Sequence, residues 1–586
     1  MDQPVVLQSP DTVTPVPLVI AVSGHRDLVD AEVPDIERLV HEFLQMIQVN
    51  CGTTPVAVLS PLAEGAGQLV AKEALRLGLR LIVPLPMPLD LYLQGFESDA
   101  DRRQFHTLAS QAEVFELPLV PGNTVQSISA PGPARDKQFA QLGMYLSGHC
   151  HLLLALWDGK DTDRLGGTAQ VVHYHQTDML PGLADGRKRA RQLITDYESD
   201  LVYQIVCSRN REHGEPATGQ RPLQSFYLTA DPEHPRTEQL PLAYRLMFRR
   251  TCEFNRDVRK YARRIVEHES SLLLDAKHAG ISGDPLPIAS LFRTADVLAR
   301  HFQYRVHGML RVTYTLAALM GLAFIAYADV NGFDYMIYVF LGLFAIGFGL
   351  YLVATKRDWQ RKYLDYRVLA EGLRVQFYWL VAGVTSRTGI QFAHDNFLQK
   401  QDVELGWIRN AMRAASIGRK QLSDADSADG LQFTIGHWLG DPDQPEPIGQ
   451  IAYFKRHENH KWRLHRATTT LGYICLWAGI AVTVALIVMD SWLNDATQTV
   501  LLVLMGILPL VAAVREAYSH KTADKELIKQ YRFMFRLFSN ARKQLAECQS
   551  DAEKRDVLRA LGEAALDEHA EWILMHRDRP LEHGWL

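Results

Sequence analysis

Five short segments of the chain carry charged or hydroxyl-bearing residues, and four of them also contain glycine. They are residues 23–27, 60–65, 158–160, 166–168 and 208–209. Glycine lets backbone N–H groups approach an anion closely, and a hydroxyl at the start of a helix adds a further donor. Arginine binds phosphate in a bidentate geometry, and carboxylates suit the hydroxyls of a ribose. Together these residue types indicate a site for a phosphate-bearing ligand.

The individual residues divide by their chemistry. Arg26 and Arg209 are the candidates for phosphate contacts, whereas Glu64 and Asp158 are the candidates for ribose hydroxyls. The full set of predicted ligand-binding residues is Ser23, Gly24, His25, Arg26, Ser60, Glu64, Gly65, Asp158, Gly159, Lys160, Gly166, Gly167, Thr168 and Arg209. Taken singly, each has a purely structural interpretation: strand-end glycines occur in many turns, Arg26 can pair with Asp27, and Asp-Gly is an ordinary turn dipeptide.

The elements around these segments give them a common position. Short strand candidates, most of them apolar, occupy residues 18–22, 56–59, 80–83, 114–117, 152–157 and 201–206, and helical patterns fill most of the intervals. Fully apolar strands that alternate with helices are typical of a parallel sheet buried on both faces. We therefore predict a Rossmann-like, doubly wound α/β fold with residues 201–206 as its last strand. In such sheets the ligand lies beyond the carboxyl ends of the strands, where the five segments fall.

The second half of the chain contains four long uncharged runs. They cover residues 312–328, 335–355, 467–489 and 496–514, and a short acidic turn joins the members of each pair. Each run is about long enough to cross a hydrocarbon core of ~30 Å. The repetition of one unit predicts two membrane hairpins with four transmembrane helices. The alternative, four buried helices of a large soluble protein, is disfavoured because such runs are uncommon in soluble cores.

The distribution of charge predicts how these hairpins are oriented. Lys and Arg lie at the outer ends of the four runs, whereas the turns at residues 329–334 and 490–495 carry acids without Lys or Arg. The positive-inside rule then places both termini and the α/β domain in the cytoplasm. No ionisable residue interrupts a run, so one chain offers no charged path across the membrane. A conducting path would require a homo-oligomer.

Several other classes of function find little support. The net charge of −5 gives no basis for bulk binding to nucleic acid. The six cysteines are scattered singly, which favours reduced thiols over a metal or disulfide framework. Residues 149–151 and 173–175 each hold two histidines, but neighbours at i and i+2 on a helix do not face each other. On a strand they could, yet partner ligands at a recognised spacing are missing, so we predict no metal site.

The glycine-containing segments resemble those of the SLOG superfamily of Rossmann-like domains, which sense or process nucleotide-derived ligands. The resemblance rests on residues 23–27, 60–66, 157–160 and 166–169. The two hairpins, each followed by a long amphipathic segment at residues 359–381 or 523–545, resemble the SLATT class of two-span effectors in bacterial conflict systems. The resemblance implies a nucleotide second messenger of the cyclic ADP-ribose or cyclic oligonucleotide type. It also implies an upstream nucleotide synthase or TIR enzyme that makes this ligand.

One departure from the family pattern bears on catalysis. SLOG enzymes of the cytokinin-activating type are known for a Pro-Gly-Gly-x-Gly-Thr-x-x-Glu motif whose Glu takes part in cleaving an N-glycosidic bond. Residues 165–172 of this chain read Leu-Gly-Gly-Thr-Ala-Gln-Val-Val, which lacks the Pro, the third Gly and the Glu. The candidate phosphate-binding residues of the motif are present in this chain, whereas its catalytic Glu is absent. This pattern predicts sensing without turnover, and hence a protein that is not an enzyme.

The remaining segments link the predicted sensor to the predicted membrane units. The expected domains are residues 1–17 (loose), 18–236 (SLOG-like), 237–303 (helical connector), 304–421 (hairpin unit), 422–455 (linker) and 456–586 (hairpin unit). A long helix with a basic face is expected over residues 240–274, and residues 291–307 should continue as a helix into the first span. The basic face could contact anionic lipid, although solvation or internal pairing is the commoner role of such a face.

Three functions remain open at this point. The favoured one is an antiphage-type membrane effector whose SLOG-like domain binds a nucleotide second messenger and triggers pore opening or membrane disruption. The second is a membrane-tethered nucleotide hydrolase that uses Glu64 or Asp158. The third is a small-molecule transporter. Product formation would identify the hydrolase, and counterflow of a defined solute would identify the transporter.

Overall fold

The computed structural model divides the chain into two compact units. It describes residues 13, 15–162, 165–177, 201–229, 235–268, 285–384, 397, 403–418, 424–440, 448–489 and 492–577. The sheet unit consists of Met1–Val297, Val368–Gly430 and Gly562–Ala570, and the helical unit consists of Leu298–Arg367, Leu431–Leu561 and Glu571–Leu586. Most of the predicted loose segment 1–17, the end of the predicted helix 240–274, and Asp490 lie outside the described residues.

The sheet unit is built on one eight-stranded sheet. Its strands are β1 (Leu18–Gly24), β2 (Val56–Leu59), β3 (Arg80–Leu85), β4 (Glu113–Glu116), β5 (Leu152–Trp157), β6 (Val202–Val206), β7 (Ser225–Leu228) and β8 (Arg236–Thr237). Their order is β4-β3-β2-β1-β5-β6-β7-β8. The first six strands are parallel, and β7 and β8 add antiparallel strands beside β6. The prediction that residues 201–206 form the last strand is therefore wrong, because two short strands follow them.

Helices cover both faces of this sheet, which explains why its central strands are apolar throughout. The first six are α1 (Val33–Cys51), α2 (Ala66–Arg76), α3 (Leu89–Leu93), α4 (Asp99–Ala109), α5 (Pro133–His149) and α6 (Thr168–Thr177). Leu18, Ile20 and Val22 of β1 join a core with α1 and α2, whereas Val19 and Ala21 join a core with α5 and α6. Successive side chains of a strand point to opposite faces, so both sets are buried. The predicted mostly parallel α/β sheet is confirmed.

Two later segments differ from the sequence predictions. The predicted helix over residues 240–274 is α7 (Leu242–Lys260) followed by α8 (Ala262–Val266), with an interruption at Tyr261. The range predicted as a linker contains α13 (Asp424–Thr434), which continues as a π-helical turn over Ile435–Leu439. Leu431 and Trp438 of this segment are buried, with exposures of 2% and 1%. Tertiary packing of such residues outweighs a composition rich in Asp, Ser and Gly.

The remaining helices follow in chain order. They are α9 (Pro285–Asp329), α10 (Met336–Arg357), α11 (Trp359–Val381), α12 (Gly406–Ala415), α14 (Gly449–Met489), α15 (Asp495–Lys521), α16 (Asp524–Glu547) and α17 (Asp551–Arg577), with a 3-10 turn at Val403–Leu405. Helix α9 is continuous from residue 285 to residue 329, so the segment 291–307 enters the first apolar run without a break, as predicted. The division between the two units falls within this helix, between Val297 and Leu298.

Among the residues that the structure describes, four helices are long and apolar enough to cross a membrane, and they correspond to the four predicted runs. They are α9, α10, α14 and α15. Large apolar side chains on all four are exposed, including Phe324, Leu341, Trp477, Ile487 and Val500. Exposed apolar surface of this extent is expected where a helix contacts lipid.

Small residues allow close helix packing inside the helical unit. A Cβ added at Gly321 of α9 would lie 2.5 Å from Leu510 Cδ2 of α15, and one at Gly506 would lie 2.9 Å from Ile325 Cδ1. Gly479 of α14 similarly contacts Pro509 of α15. Close approach at small residues is the usual way in which apolar helices associate within a bilayer. Gly506 and Pro509, which the sequence suggested as a bend in the fourth span, thus lie in helix contacts.

The six cysteines are free thiols, and Cys252 is expected to be the most reactive of them. A hydrogen bond with Cys51 lowers the pKa of Cys252 against the effect of burial, and the Thr54 hydroxyl and the charge of Arg256 act in the same direction. The thiolate is the reactive form, so Cys252 should be alkylated first by iodoacetamide at pH 7. Peptide mass spectrometry over a time course checks this. Arg256→Gln should slow the reaction, and labelling of Cys548 ahead of Cys252 would contradict the assignment.

Candidate functional site

The order of the strands reverses direction at β1, which pairs with β2 on one side and with β5 on the other. The carboxyl ends of β1 and β5 are adjacent, with Ser23 opposite Ala155 and Gly24 opposite Leu156. In open α/β sheets, ligands bind in the crevice beyond such a reversal point because the following loops diverge to opposite faces. The loops after β1 and β5 carry the residues that the sequence singled out.

His25 and Asp158 meet across this point. The His25 Nε2 atom lies 3.1 Å from Asp158 Oδ1 and 3.1 Å from the Asp158 backbone nitrogen. The ring can therefore donate to the carboxylate or accept from the amide, according to which nitrogen carries the proton. Both side chains are buried, with Asp158 only 1% exposed. Their contact joins the ends of β1 and β5.

The surroundings of Asp158 favour its ionised form. Burial acts to raise the pKa of Asp158, but His25, the Lys160 amide and the charge of Arg209 lower it overall. The Lys160 amide donates to Asp158 Oδ1 over 3.1 Å. The carboxylate is thus occupied by groups of the protein itself. The role in binding ribose that the sequence suggested for Asp158 would require it to exchange these partners.

Arg26 lies on the exposed side of the same loop. Its side chain is 43% exposed, and its Nη1 atom lies 3.9 Å from Glu64 Oε2. The guanidinium carbon lies 5.7 Å from the centre of the Phe139 ring. Arg26 does not depend on Asp27 for its charge balance, because Asp27 pairs with Arg209 instead. An exposed guanidinium held beside an aromatic face is well suited to bind an anion.

Sequence reasoning missed a second arginine close to Arg26. Arg135 of α5 is 9% exposed, and its Nη2 atom donates to the Leu91 carbonyl over 2.9 Å. Burial and the charge of Arg26 both lower the pKa of Arg135. Two guanidiniums that repel each other favour an added anion, although Glu64 beside Arg26 offsets part of their charge. The Arg135 position follows a long loop, and no local pattern indicated that it faces Arg26.

Two glycines bring α2 against the end of β1. A Cβ at Gly24 would lie 2.5 Å from the Ala66 Cβ, and a Cβ at Gly65 would lie 2.3 Å from the Arg26 carbonyl oxygen. Gly65 has a φ of +69°, which disfavours other residues. The Ala66 amide donates to the His25 carbonyl over 3.1 Å. The start of α2 therefore lies directly beside the loop that carries Arg26.

The Gly166–Thr168 step lies on the other side of the sheet reversal, at the start of α6. Gly166 has a φ of +78°, and a Cβ there would lie 2.7 Å from the Phe139 Cβ. Its amide bonds to the Gln170 side chain at 3.2 Å. Thr168 begins α6 and is 9% exposed. Phe139 thus contacts both the Arg26 loop and the Gly166 loop, which brings these two predicted segments to one place.

Four predicted residues have other roles in this structure. Ser60 is fully buried, and its hydroxyl donates to the Gly67 carbonyl over 2.9 Å. Glu64 accepts from the Glu97 amide at 2.5 Å. Lys160 donates to the His213 carbonyl over 2.9 Å. Arg209 makes a bidentate pair with Asp27, with its Nη2 atom 2.9 Å from Oδ1 and its Nε atom 3.1 Å from Oδ2. These four residues shape the loops.

The remaining predicted residues define the candidate site. Ser23, Gly24, Gly65, Gly166 and Gly167 are partly exposed at the strand ends, and Gly159 forms the turn after Asp158 with a φ of +77°. Together with Arg26 and Thr168, they supply backbone donors, a hydroxyl and a cation. Among the residues that the structure describes, no group of three His, Cys, Asp or Glu side chains could hold a metal ion. The histidines at 149 and 151 bond to the Tyr145 carbonyl and the Val19 amide.

Comparison with known proteins finds no matching family model, no matching curated protein and no matching solved structure. Within its described part, the chain combines an eight-stranded α/β sheet unit with four helices long and apolar enough to cross a membrane.

Proposed function

We propose that this chain is a membrane effector that is switched on by a nucleotide-derived second messenger. Its sheet unit is a Rossmann-like, SLOG-type sensor, and the helical unit carries two SLATT-type hairpins. Ligand binding triggers pore opening or membrane disruption, as in bacterial antiphage defence. The observation that carries the proposal is the anion-suited site around Arg26, in a chain that also has four membrane-length helices.

The nature of the ligand follows from the groups around the site. Arg26 and the second cation, Arg135, favour phosphate over a neutral sugar or an amino acid. The close contacts at Gly65 and Gly166 bring the starts of α2 and α6 to the Arg26 loop and to Phe139, and the start of a helix favours a phosphate. The Phe139 face offers an apolar contact beside the guanidinium. A nucleotide of the cyclic ADP-ribose or cyclic oligonucleotide type combines these features, and an upstream synthase or TIR enzyme would supply it.

Sensing is favoured over turnover by the state of the acidic residues. Residues 165–172 lack the glutamate of the hydrolytic motif. Glu64 accepts from the Glu97 amide, and the Asp158 carboxylate contacts His25 and the Lys160 amide. A general base needs access to the proton that it removes. Both acids are buried and already engaged, so neither is presented to a ligand.

The runner-up function is a nucleotide hydrolase, and one observation favours it. The buried His25–Asp158 contact resembles a base with an orienting carboxylate, which is a common arrangement in general base catalysis. Chromatography of nucleotides incubated with the full-length protein distinguishes the two functions. The sensor predicts binding with no product, and a product whose formation is lost in His25→Ala would favour the hydrolase.

The proposal assigns the sheet unit and both termini to the cytoplasm. Cysteines introduced at Asn331 and Leu493, in the turns between paired helices, should react with an impermeant maleimide on intact spheroplasts. Asn494 is avoided because its side chain accepts from the Thr497 amide at the start of α15. Ser129→Cys is the matched control in the sheet unit and should stay protected until the cells are lysed. Protection at both turns would reverse the orientation.

Arg26→Ala should weaken nucleotide binding by about ten- to a hundredfold. The variant loses a charge-assisted contact worth about 1.5–3 kcal/mol, while the fold keeps the Asp27–Arg209 pair. Isothermal titration calorimetry with cyclic ADP-ribose and cyclic dinucleotides measures the loss. Arg103→Ala, which removes an exposed arginine from α4, is the matched control. Unchanged affinity in Arg26→Ala would place the phosphate elsewhere.

A further inference from the structure

Helices α7 and α8 present a surface on which every exposed position from residue 245 to residue 264 is basic. These positions are Arg245, Arg249, Arg256, Arg259, Lys260, Arg263 and Arg264. We call this surface the cationic stripe. The two acids in the same stretch, Glu253 and Asp257, have small exposed fractions because they lie toward the protein. The exposed side is therefore positive, while the buried side carries the acids.

The buried side chains of α7 explain how this helix packs. They do not explain why its exposed side is basic while its acids lie toward the protein. Helix α7 packs within the sheet unit through four buried side chains, Met247, Phe248, Phe254 and Val258. Pairing uses part of the stripe, since Arg249 contacts Glu253 at 3.4 Å and Arg263 contacts Glu267 at 2.8 Å. A surface helix that needed only solubility would carry both signs of charge. The excess of cations indicates an anionic partner.

Exposed apolar side chains lie beside the cationic stripe. The Arg259 Nη1 atom donates to the Thr53 carbonyl over 2.7 Å, so the end of α1 is next to α7. Met46 and Val49, near this end, are 40% and 72% exposed. Leu242, at the start of α7, is 68% exposed. Cations flanked by apolar side chains are typical of a surface that contacts the headgroup region of a membrane.

We propose that the cationic stripe binds the anionic headgroups of the bilayer in which the chain's own four helices reside. Lipid is favoured over nucleic acid because the chain continues from the sheet unit into a membrane-length helix, and because the chain as a whole is acidic, with a net charge of −5. Each Lys or Arg near an anionic leaflet adds to the attraction. This contact is separate from the nucleotide site, so its test does not depend on the ligand.

The test uses the full chain in nanodiscs of phosphatidylcholine, with and without phosphatidylglycerol. A photo-crosslinking residue, p-benzoylphenylalanine, replaces Val49, and the crosslinked lipid is identified by mass spectrometry. Crosslinks to lipid are expected in the anionic discs, at several times the yield in neutral discs, and salt near 0.5 M should suppress them. The same residue at Val125, which is 54% exposed in a loop of the sheet unit, reports background.

Charge variants make the result specific to the stripe. Arg256→Gln/Lys260→Gln/Arg263→Gln should lower the crosslink yield at least about fivefold. Arg76→Gln/Arg80→Gln/Arg103→Gln removes the same charge from exposed positions elsewhere in the sheet unit and should leave the yield unchanged. Equal yields in neutral and anionic discs, or equal yields in both triple variants, would overturn the proposal. So would RNA binding that is lost in the stripe variant without any lipid crosslink.

Discussion

A flexible Gly-Ser insertion after Tyr304 should abolish ligand-dependent membrane leakage while leaving nucleotide affinity largely unchanged. Helix α9 runs without a break from Pro285 to Asp329, and the proposed sensor is connected to the first apolar run through it. A ligand shifts a closed–open equilibrium only by its difference in affinity for the two states. If a stiff α9 transmits that difference to the membrane, a flexible insertion should leave nucleotide binding intact. The same insertion should remove the leakage that binding triggers.

The insertion site is chosen so that the folded protein tolerates it. Tyr304 is 78% exposed, whereas Ala299, slightly earlier in the helix, is buried. Calorimetry measures affinity, and release of a trapped dye from proteoliposomes measures leakage. The matched control is the same insertion after Gly122, an open loop position. Leakage that survives the insertion after Tyr304 would mean that the signal passes by another route, such as clustering of sheet units.

Gly65→Ala should lower nucleotide affinity at least about tenfold and should also lower the melting temperature. The new Cβ would lie 2.3 Å from the Arg26 carbonyl oxygen and 2.8 Å from that of His25, so the loop must move. The φ of +69° adds strain of about 1–3 kcal/mol for a residue with a side chain. Both effects displace Arg26, the proposed phosphate ligand.

Gly78→Ala is a control that separates the effect of backbone strain from the effect of the steric contact with the Arg26 loop. Gly78 lies just after α2 and has a φ of +70°, but a Cβ there meets nothing within 4 Å. It should therefore reproduce the backbone strain and the lower melting temperature without the loss of affinity. If Gly65→Ala and Gly78→Ala bind nucleotide equally well, the loop between β2 and α2 does not contribute to the site.

Much of the sheet unit could be predicted because its signals are local. The runs at residues 18–22 and 152–157 are apolar throughout, and both are central strands covered on two faces. Strand β7, with four residues, and β8, with two, carry no comparable run. They form beside β6 because an edge is available there, which is a property of the assembled sheet. The four membrane-length helices were predictable for the same reason as the central strands, since length and composition define them.

The site was predictable in position but only partly in its contacts. Asp27 and Arg209 are 182 residues apart and form a bidentate pair, so the sequence could not show that Arg209 is engaged and that Arg26 is left facing outward. Arg135 approaches the Arg26 loop from helix α5, which is distant in sequence, and was missed for the same reason. Glycines after strands could be anticipated as turn residues because their local conformations depend mainly on neighbouring residues, and Gly65, Gly159 and Gly166 have positive φ.

The most direct test of the central claim is dye release from proteoliposomes that contain the full-length protein, titrated with cyclic ADP-ribose and cyclic oligonucleotides. The proposal predicts that one of these nucleotides causes release, that release saturates over the same concentration range as binding, and that the nucleotide is recovered unchanged. Arg26→Ala should shift both curves together. A nucleotide that binds at the Arg26 site without any release, or that is recovered as a cleavage product, would contradict the proposal.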